Sequence, residues 1–174
     1  MAVLVHIAPE KAARRIARAG IKPARRLGTE AAGIYCMPVL LSHTVSHQWL
    51  RELKRRGQRT LVGVYFRLRS DERVAVGRFN QTAEEMPLGR AIGLIMNSAD
   101  PLGWQIIVPR AIASGEVLAV RRVSQRLGWR YFPGAHGRRP CPYPCCLEKG
   151  EIKSRRIRAR AAEVRVSAGD DDAG

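Results

Sequence analysis

Three short apolar segments of the sequence each end at or next to a proline. VLVHI at 3–7 lies one residue before Pro9, GIYCM at 33–37 meets Pro38, and WQIIV at 104–108 meets Pro109. Runs of this length, rich in β-branched and aromatic residues, are typical of strands. Because proline has no N–H to donate to a sheet, each proline marks the end of its strand. The chain is therefore expected to build a sheet of short strands.

Four further segments predict strands, which brings the expected number to about seven. The 60–68 and 72–79 segments are expected to pair through a polar turn at Ser70–Asp71, and NSADPLG at 97–103 forms a turn before WQIIV. The four segments are TLVGVYFRL at 60–68, ERVAVGRF at 72–79, AIGLIM at 91–96 and EVLAVRRV at 116–123.

Two helices are predicted, one after each of the first two strands. The first covers 9–20 and stops at Gly20, and the second covers 42–57, with Ser42 as its N-terminal cap and Gly57 as its end. No repeat of 20–50 residues is visible. The pattern predicts an α+β fold, with two helices packed on a mainly β body.

The chain of 174 residues is long enough for one ordinary domain with a real core. We expect this domain to cover 1–133. Residues 134–169 form a basic extension rich in cysteine and arginine. Residues 170–174, DDDAG, form an acidic tail that is expected to be disordered.

The expected location is the cytoplasm. No apolar run approaches the length that crosses a membrane, and the N-terminal MAVLVHIAPE lacks the basic leader of a signal peptide. Four cysteines are too few and too clustered for a secreted disulfide framework, so a reducing compartment is the default.

The charge is strongly unbalanced, with 31 Lys and Arg against 15 Asp and Glu and a net charge of +16. Such a field attracts polyanions, above all nucleic acid. A GC-rich genome also raises arginine throughout a protein, so the distribution must decide. The predicted nucleic-acid contacts lie in two clusters: Lys11, Arg14, Arg15 and Arg18, which share one face of the first helix, and Arg155, Arg156 and Arg158 near the C-terminus.

Candidate metal ligands are present but poorly spaced. His43 and His47 stand four apart on the second helix, yet the pattern H-E-x-x-H is absent, so surface or capping roles are expected for both. His136, Cys141, Cys145 and Cys146 could form a tetrahedral zinc site, although two adjacent cysteines do not bind one ion easily. We therefore expect no metal, with this zinc site as the alternative.

Gln105 stands at the beginning of the apolar run WQIIV, where a polar side chain is costly unless it has a partner. The sequence also lacks a P-loop, a G-x-S-x-G motif and a G-x-G-x-x-G motif. Gln105 is therefore a candidate site residue outside these three known motifs.

The order LVHIAPEKAARRIARAGI, GIYCMPV and WQIIVPRAI resembles the ADP-ribosyltransferase superfamily over about residues 3–112. The bacterial branch that modifies nucleic acids is the most similar, including DNA-targeting toxins and, more distantly, tRNA 2′-phosphotransferases. The resemblance implies a split β-sandwich that holds NAD as co-substrate in a cleft. It also makes an antitoxin protein an expected partner, beside the nucleic acid.

The resemblance assigns roles to individual residues. His6, with Ile7 and Ala8, would bind NAD, with His6 hydrogen-bonded to the ribose on the adenosine side. Tyr35 would stack on the nicotinamide ring. Gln105 falls where the family has a glutamate that binds the nicotinamide ribose and supports a positively charged transition state.

Three interpretations of Gln105 remain open. It is an inactivating substitution; or it is natural, and Glu84, Glu85 or Glu116 supplies the charge; or the protein resembles a 2′-phosphotransferase, in which arginines handle a phosphorylated substrate. The expected function is thus NAD-dependent ADP-ribosyl transfer to DNA or RNA. The alternatives are an RNA 2′-phosphotransferase and a catalytically silent nucleic-acid-binding protein.

Overall fold

The computed structural model describes residues 1–23, 32–55, 60–79 and 81–125. Within them, seven strands form one sheet in the order β5-β4-β6-β2-β1-β3-β7, and every paired strand runs antiparallel to its neighbour. The strands are β1 (Ala2–Pro9), β2 (Ile34–Pro38), β3 (Leu61–Leu68), β4 (Arg73–Arg78), β5 (Glu84–Pro87), β6 (Trp104–Val108) and β7 (Val117–Arg122). With its few helices the fold is mixed α+β, as predicted.

The sheet has two halves that meet between β1 and β2. Those two strands share the residue pairs Leu4↔Pro38 and Val5↔Met37, and Val39 N–H donates to the Val3 carbonyl at 2.9 Å. On its other edge β1 pairs with β3 along its whole length, from Ala2 to Pro9. Beyond Val5 the β1–β2 ladder ends, so the two halves are free to diverge at this point.

Four α-helices accompany the sheet, and the first two follow β1 and β2 as expected. They are α1 (Ala13–Ala19), which continues a 3-10 turn at Glu10–Ala12, α2 (His43–Ser46), α3 (Leu50–Arg55) and α4 (Leu88–Met96). The α1 helix ends at Gly20, whose φ is +73°. A Cβ at Gly20 would lie 1.9 Å from the Ile112 carbonyl oxygen, so only glycine allows Ile21 and Ile112 to pair there.

The prediction of one helix over 42–57 was wrong. Ser42 caps α2 as expected, accepting a hydrogen bond from Val45 N–H, but a turn at residues 47–49 separates α2 from α3. Gln48 and Trp49 both extend their side chains to the segment before β6. Because successive residues of an α-helix point about 100° apart, a continuous helix could not direct both side chains to one place.

The prediction of a strand at 91–96 was also wrong. AIGLIM is the end of α4, which begins after Pro87. Leu88, Ala91 and Ile95 are buried at the i, i+3, i+7 spacing of one helix face. The apolar run alone was too short to separate a helix from a strand. The strand Glu84–Pro87 was not predicted, because it begins with two glutamates and has no apolar run typical of a strand.

The 60–68 and 72–79 strands exist, but they do not pair, which corrects a third prediction. Both edges of β3 are occupied, by β1 and β7, while β4 lies between β5 and β6 in the other half. The polar turn between them is present and is tied to α4, because Leu88 N–H donates to the Glu72 carbonyl and Gly89 N–H to the Ser70 carbonyl. The segment therefore crosses between the halves of the sheet.

One face of the sheet carries most of the core. The pairs Leu4↔Phe66 and Cys36↔Ile106 are buried on it, and Ile16 of α1 and Ile95 of α4 belong to the same cluster. A smaller cluster of Leu50, Leu61 and Val123, with Ile7 against it, packs α3 onto the sheet. The predicted extension at 134–169 and the tail at 170–174 lie outside the described residues.

Candidate functional site at the split in the sheet

The imidazole of His6 occupies the point at which β1 and β2 separate. Its Nδ1 lies 2.7 Å from the backbone carbonyl oxygen of Tyr35. A carbonyl can only accept, so Nδ1 carries the proton. Burial lowers the pKa of His6, which keeps the ring neutral. The other nitrogen, Nε2, is then a hydrogen-bond acceptor.

Tyr35 and Gln105 lie on one face of the sheet, opposite the main core. Tyr35 pairs with Ile107 of β6, and Gln105 is two residues from Ile107 on the same strand. Because side chains alternate along a strand and paired residues share a face, all three project to the same side. Tyr35 and Gln105 are half-buried, whereas Ile106 and Val108 are fully buried on the opposite face. The pairing agrees with the predicted alternation of QIIV, but Ile107, which was expected on the open side with Gln105, is itself buried at 3% exposure.

Two glycines near Gln105 and Tyr35 lie where a side chain would approach neighbouring atoms closely. Gly77 of β4 pairs with Gln105, and a Cβ there would lie 3.0 Å from Ala83 Cα. At Gly33 a Cβ would lie 2.4 Å from Cγ2 of Ile107. A side chain at Gly33 would therefore collide with Ile107, and one at Gly77 would crowd the Ala83 backbone.

The segment that leads into β6 is fixed by Gln48 in the turn between α2 and α3. Gln48 is fully buried; its Oε1 accepts from Gly103 N–H at 2.6 Å, and its Nε2 donates to the Pro101 carbonyl at 3.0 Å. Next to it, Trp49 Nε1–H donates to the Trp104 carbonyl at 2.8 Å. Both ends of the buried amide are satisfied, so residues 101–104 have a defined path immediately before Gln105.

Arg78 holds the same segment from the other side. Its guanidinium donates to the Asp100 carbonyl at 2.6 Å, forms an ion pair with the Asp100 carboxylate, and lies 5.3 Å from the centre of the Trp104 ring. Ser98 Oγ accepts from Trp104 Nε1–H at 3.2 Å. Gln105 is thus presented by a strand whose N-terminal side is bound by three different elements.

The sequence did not identify Gln48, Trp49 and Arg78 as site residues. A buried glutamine inside an amphipathic helix pattern was the one available signal, since an unpaired amide there would be costly. Its partners lie more than fifty residues away along the chain, at Pro101 and Gly103. Such partners become visible when the strands are assembled.

Ile7 and Ala8, the other predicted NAD contacts, differ in position. Ile7 is half-buried and packs toward Leu50 and Leu61. Ala8 is 1% exposed and lies in the main core, so its side chain faces away from any ligand. Of the residues assigned to NAD, Tyr35 and Gln105 share one face of the sheet, and His6 contacts the Tyr35 backbone. His6 is two residues before Ala8 and pairs with the buried Val64, so its side chain is on the core face of β1, opposite the side chains of Tyr35 and Gln105.

The three glutamates that were considered as substitutes for Gln105 face different ways. Glu116 is bound by Arg110 through two contacts of 2.7 and 2.8 Å and accepts from Ala113 N–H; the Arg110 hydrogen bonds lower its pKa. Glu84 pairs with Val76, which points to the core side. Glu85 pairs with Ala75, which also pairs with Ile107, so Glu85 shares the face of Gln105 two strands away.

His43 and His47 contact each other through their rings. Their rings stack with centroids 4.0 Å apart, and His47 is 2% exposed, which corrects the expected surface role for that residue. His47 Nδ1–H donates to the His43 carbonyl, and Nε2 accepts from the Tyr65 hydroxyl at 2.8 Å. Both ring nitrogens are thus engaged. Among the described residues no group of three or more His, Cys, Asp and Glu is arranged to hold a metal.

The predicted basic face of the first helix is exposed in full: Lys11, Arg14, Arg15 and Arg18 all reach solvent. The edge strand β7 adds the exposed Arg122 beside this surface, where it lies 3.6 Å from Glu10 in an ion pair. The other predicted sites, Arg155, Arg156 and Arg158 and the zinc alternative of His136, Cys141, Cys145 and Cys146, lie outside the described residues.

None of the helices in the described ranges combines the length and the apolar character that crossing a bilayer requires. Searches of protein-family models, of curated proteins and of solved structures found nothing that matches this chain.

Proposed function

We propose that the protein transfers ADP-ribose from NAD to a nucleic acid. The observation that supports this most is the contact of the neutral His6 ring with the Tyr35 backbone, at 2.7 Å, next to the face that Tyr35 shares with Gln105. The family resemblance assigns His6 to a ribose and Tyr35 to the nicotinamide ring, and it places Gln105 where the family has a glutamate for the nicotinamide ribose.

The residues fit NAD as a substrate in their chemistry. His6 offers Nε2 as an acceptor for a ribose hydroxyl, Tyr35 offers an aromatic ring for a planar base, and Gln105 offers an amide that both donates and accepts. Transfer breaks the bond between nicotinamide and ribose C1′, and the electron pair leaves with nicotinamide. A nucleophilic atom of the nucleic acid then bonds to C1′ and releases its proton.

The positive charge that develops on the ribose is the difficulty for this chain. A carboxylate at position 105 would stabilise that charge, and the Gln105 amide does not. Glu116 is held by Arg110, and Glu84 points to the core side, so Glu85 is the acidic candidate among the three on the face of Gln105. Its side chain is 76% exposed, so its effect would be screened by water.

The nucleic-acid half of the proposal rests on charge. The chain carries a net +16, and the described basic residues Lys11, Arg14, Arg15 and Arg18 stand together in solvent. An exposed face of one sign is suited to a phosphate backbone, which contributes most of the affinity of proteins for nucleic acids.

The decisive experiment is incubation of the full chain with radiolabelled NAD and separate pools of DNA, RNA and protein. Label in a nucleic-acid pool, lost in His6→Ala and retained in Thr44→Ala, is the expected result. Label in the protein pool, or in none, would reject the proposal as stated.

The uncharged Gln105 supports a second candidate, a catalytically silent nucleic-acid-binding protein with the same fold. NAD should raise the melting temperature under the first proposal and leave it unchanged under the second. An RNA 2′-phosphotransferase would instead require a 2′-phosphorylated RNA, and adding such an RNA to the same assay tests that alternative.

A further inference from the structure

The His43–His47 stack contacts β3, on the same face of the sheet as Tyr35 and Gln105 but over different strands. Tyr65 and Arg121 belong to β3 and β7, whereas Tyr35 and Gln105 belong to β2 and β6, on the other side of β1. We call the group His43, His47, Tyr65 and Arg121 the imidazole platform. The chemistry proposed for NAD uses none of these residues.

The platform is a rigid aromatic arrangement with one exposed ring. His47 is buried and fixed at both nitrogens, by the His43 carbonyl at 2.9 Å and the Tyr65 hydroxyl at 2.8 Å. Burial lowers the pKa of His47, so its ring stays neutral and accepts from Tyr65. His43 stacks on it with an interplanar angle of 29° and is itself exposed. A flat ring that is already held in a stack is suited to receive another flat ring.

Cations flank this aromatic group. The Arg121 guanidinium lies 5.9 Å from the centre of the Tyr65 ring. Arg67 is exposed two residues after Tyr65 on β3, so it projects from the same face of the sheet. Arg121 is opposite Gly63, two residues before Tyr65. Two arginines therefore stand on either side of Tyr65 along the strand direction.

The edge strand β7 connects the platform to the basic face of α1. Arg121 and Arg122 are consecutive, so their side chains project to opposite faces of the sheet. Arg121 lies over Tyr65, and Arg122 pairs with Glu10 at the start of the helical segment that carries Lys11. Positive charge thus continues around this edge from one face to the other.

We infer that the imidazole platform stacks an unpaired base of a single-stranded nucleic acid, with Arg67 and Arg121 on the adjoining phosphates. Base stacking on an aromatic ring beside cations is the mode by which proteins hold single strands without reading their sequence. The inference rests on the nucleic-acid half of the proposed function and is independent of NAD chemistry.

The test compares two oligonucleotides of equal length and charge, one with bases and one abasic, bound to the full chain and followed by fluorescence anisotropy. The unmodified protein should prefer the strand with bases. His43→Ala should weaken that strand about fivefold or more and leave the abasic strand unchanged. His43→Phe should keep the preference, and Thr44→Ala, an exposed neighbour on α2, should behave as the unmodified protein.

The arginines should behave differently from His43. Arg67→Gln and Arg121→Gln should weaken both strands equally, and each should reduce the salt slope of binding by about 0.7. The same titrations with DNA and with RNA oligonucleotides show which nucleic acid supplies the stacked base.

An unmodified protein that binds both strands alike, or a His43→Ala protein that loses affinity equally for both, would overturn the inference. Label transfer from NAD is measured on the same variants. If label transfer fails and the preference for the strand with bases is intact, the proposed chemistry is rejected and the imidazole platform is retained. If label transfer succeeds and the preference is absent, only the platform is rejected.

Discussion

His6 Nδ1 donates a 2.7 Å hydrogen bond to the Tyr35 carbonyl just beyond the last residue pair of β1 and β2. The side chain takes the place that a backbone N–H would hold in a continuing ladder. It therefore both closes one end of the split and satisfies a carbonyl that would otherwise face the gap.

Replacing His6 should affect stability and NAD binding together. We expect His6→Ala to lower the free energy of unfolding by about 1–3 kcal/mol, because the hydrogen bond from the His6 ring to the Tyr35 carbonyl is lost. NAD should raise the melting temperature of the unmodified protein and of His43→Ala, and leave His6→Ala unmoved. Thermal denaturation with and without NAD checks this; an equal NAD-dependent rise in all three proteins would exclude His6 from the site.

Restoring a carboxylate at position 105 should increase turnover. Gln and Glu have nearly the same shape and Gln105 is half-buried, so Gln105→Glu should fold like the unmodified protein. We expect NAD consumption with a nucleic-acid acceptor to rise about 10²–10³-fold, because the carboxylate stabilises developing positive charge. Gln81→Glu, an exposed glutamine elsewhere, is the matched control. Equal rates in Gln105→Glu and the unmodified protein would contradict the glycosyl-transfer mechanism and favour a phosphotransferase.

Gln48 should be required for the path of the chain before Gln105. Gln48→Leu leaves the Gly103 N–H and the Pro101 carbonyl without their partners. We expect it to cost about 2–4 kcal/mol of unfolding free energy, measured by urea denaturation. Thr44→Ala on the preceding helix, where the side chain is exposed, should change stability by less than about 0.5 kcal/mol. A loss for Gln48→Leu as small as that of the control would mean that the segment is held by Arg78 and Trp49 alone.

Stability should fall as the pH drops below about 6.5, the ordinary pKa of histidine. Burial lowers the folded-state pKa of both His6 and His47, so the unfolded chain binds protons first. The stabilising effect is complete above the unfolded pKa and is lost as the pH falls toward the folded pKa, with a slope of at most about 1.4 kcal/mol per pH unit for each histidine.

Urea denaturation between pH 7.5 and 5 measures this dependence. Asp71 and Glu116 titrate below their ordinary values, so they contribute little in that range. His47→Gln should remove part of the slope, and a slope unchanged in that variant would show that His47 does not control it.

The basic face of the first helix should bind phosphate. Replacing Arg14, Arg15 and Arg18 by Ala should reduce the slope of log affinity against log salt by about two to three, because each lost phosphate contact releases one counterion fewer. All three side chains are exposed, so the fold should be unaffected. Nucleic-acid binding titrated at several salt concentrations is the measurement. An unchanged slope would identify this face as a solvated surface.

Local sequence patterns were enough for the elements whose periodicity is long or whose ends carry a chemical stop. Gly20 ends the first helix because only glycine accepts its backbone angle and the close Ile112 carbonyl, and Ser42 caps the second. Alternation in QIIV separated Gln105 from Ile106 correctly, since burial of one side of a strand requires it.

Patterns failed where a segment's partners lie far away along the chain. AIGLIM carries an apolar run that fits either structure, and the position of Leu88, Ala91 and Ile95 against the sheet made it a helix. The polar turn at Ser70–Asp71 suggested a hairpin, yet β1 and β7 occupy both edges of the preceding strand. A local sequence carries no information about which strand edges are already paired with other strands.

By itself, the sequence determined that this chain forms short strands with two early helices, that it is strongly basic, and that His6, Tyr35 and Gln105 are its unusual strand residues. Only the tertiary structure decided that His6 contacts the Tyr35 backbone and that Tyr35 and Gln105 share a face, because both depend on strand order and register across β1, β2 and β6. The same holds for the hydrogen bonds of Gln48 and for the contact between His47 and Tyr65. Each joins groups that are remote along the chain, and burial makes each pairing favourable once the sheet has formed.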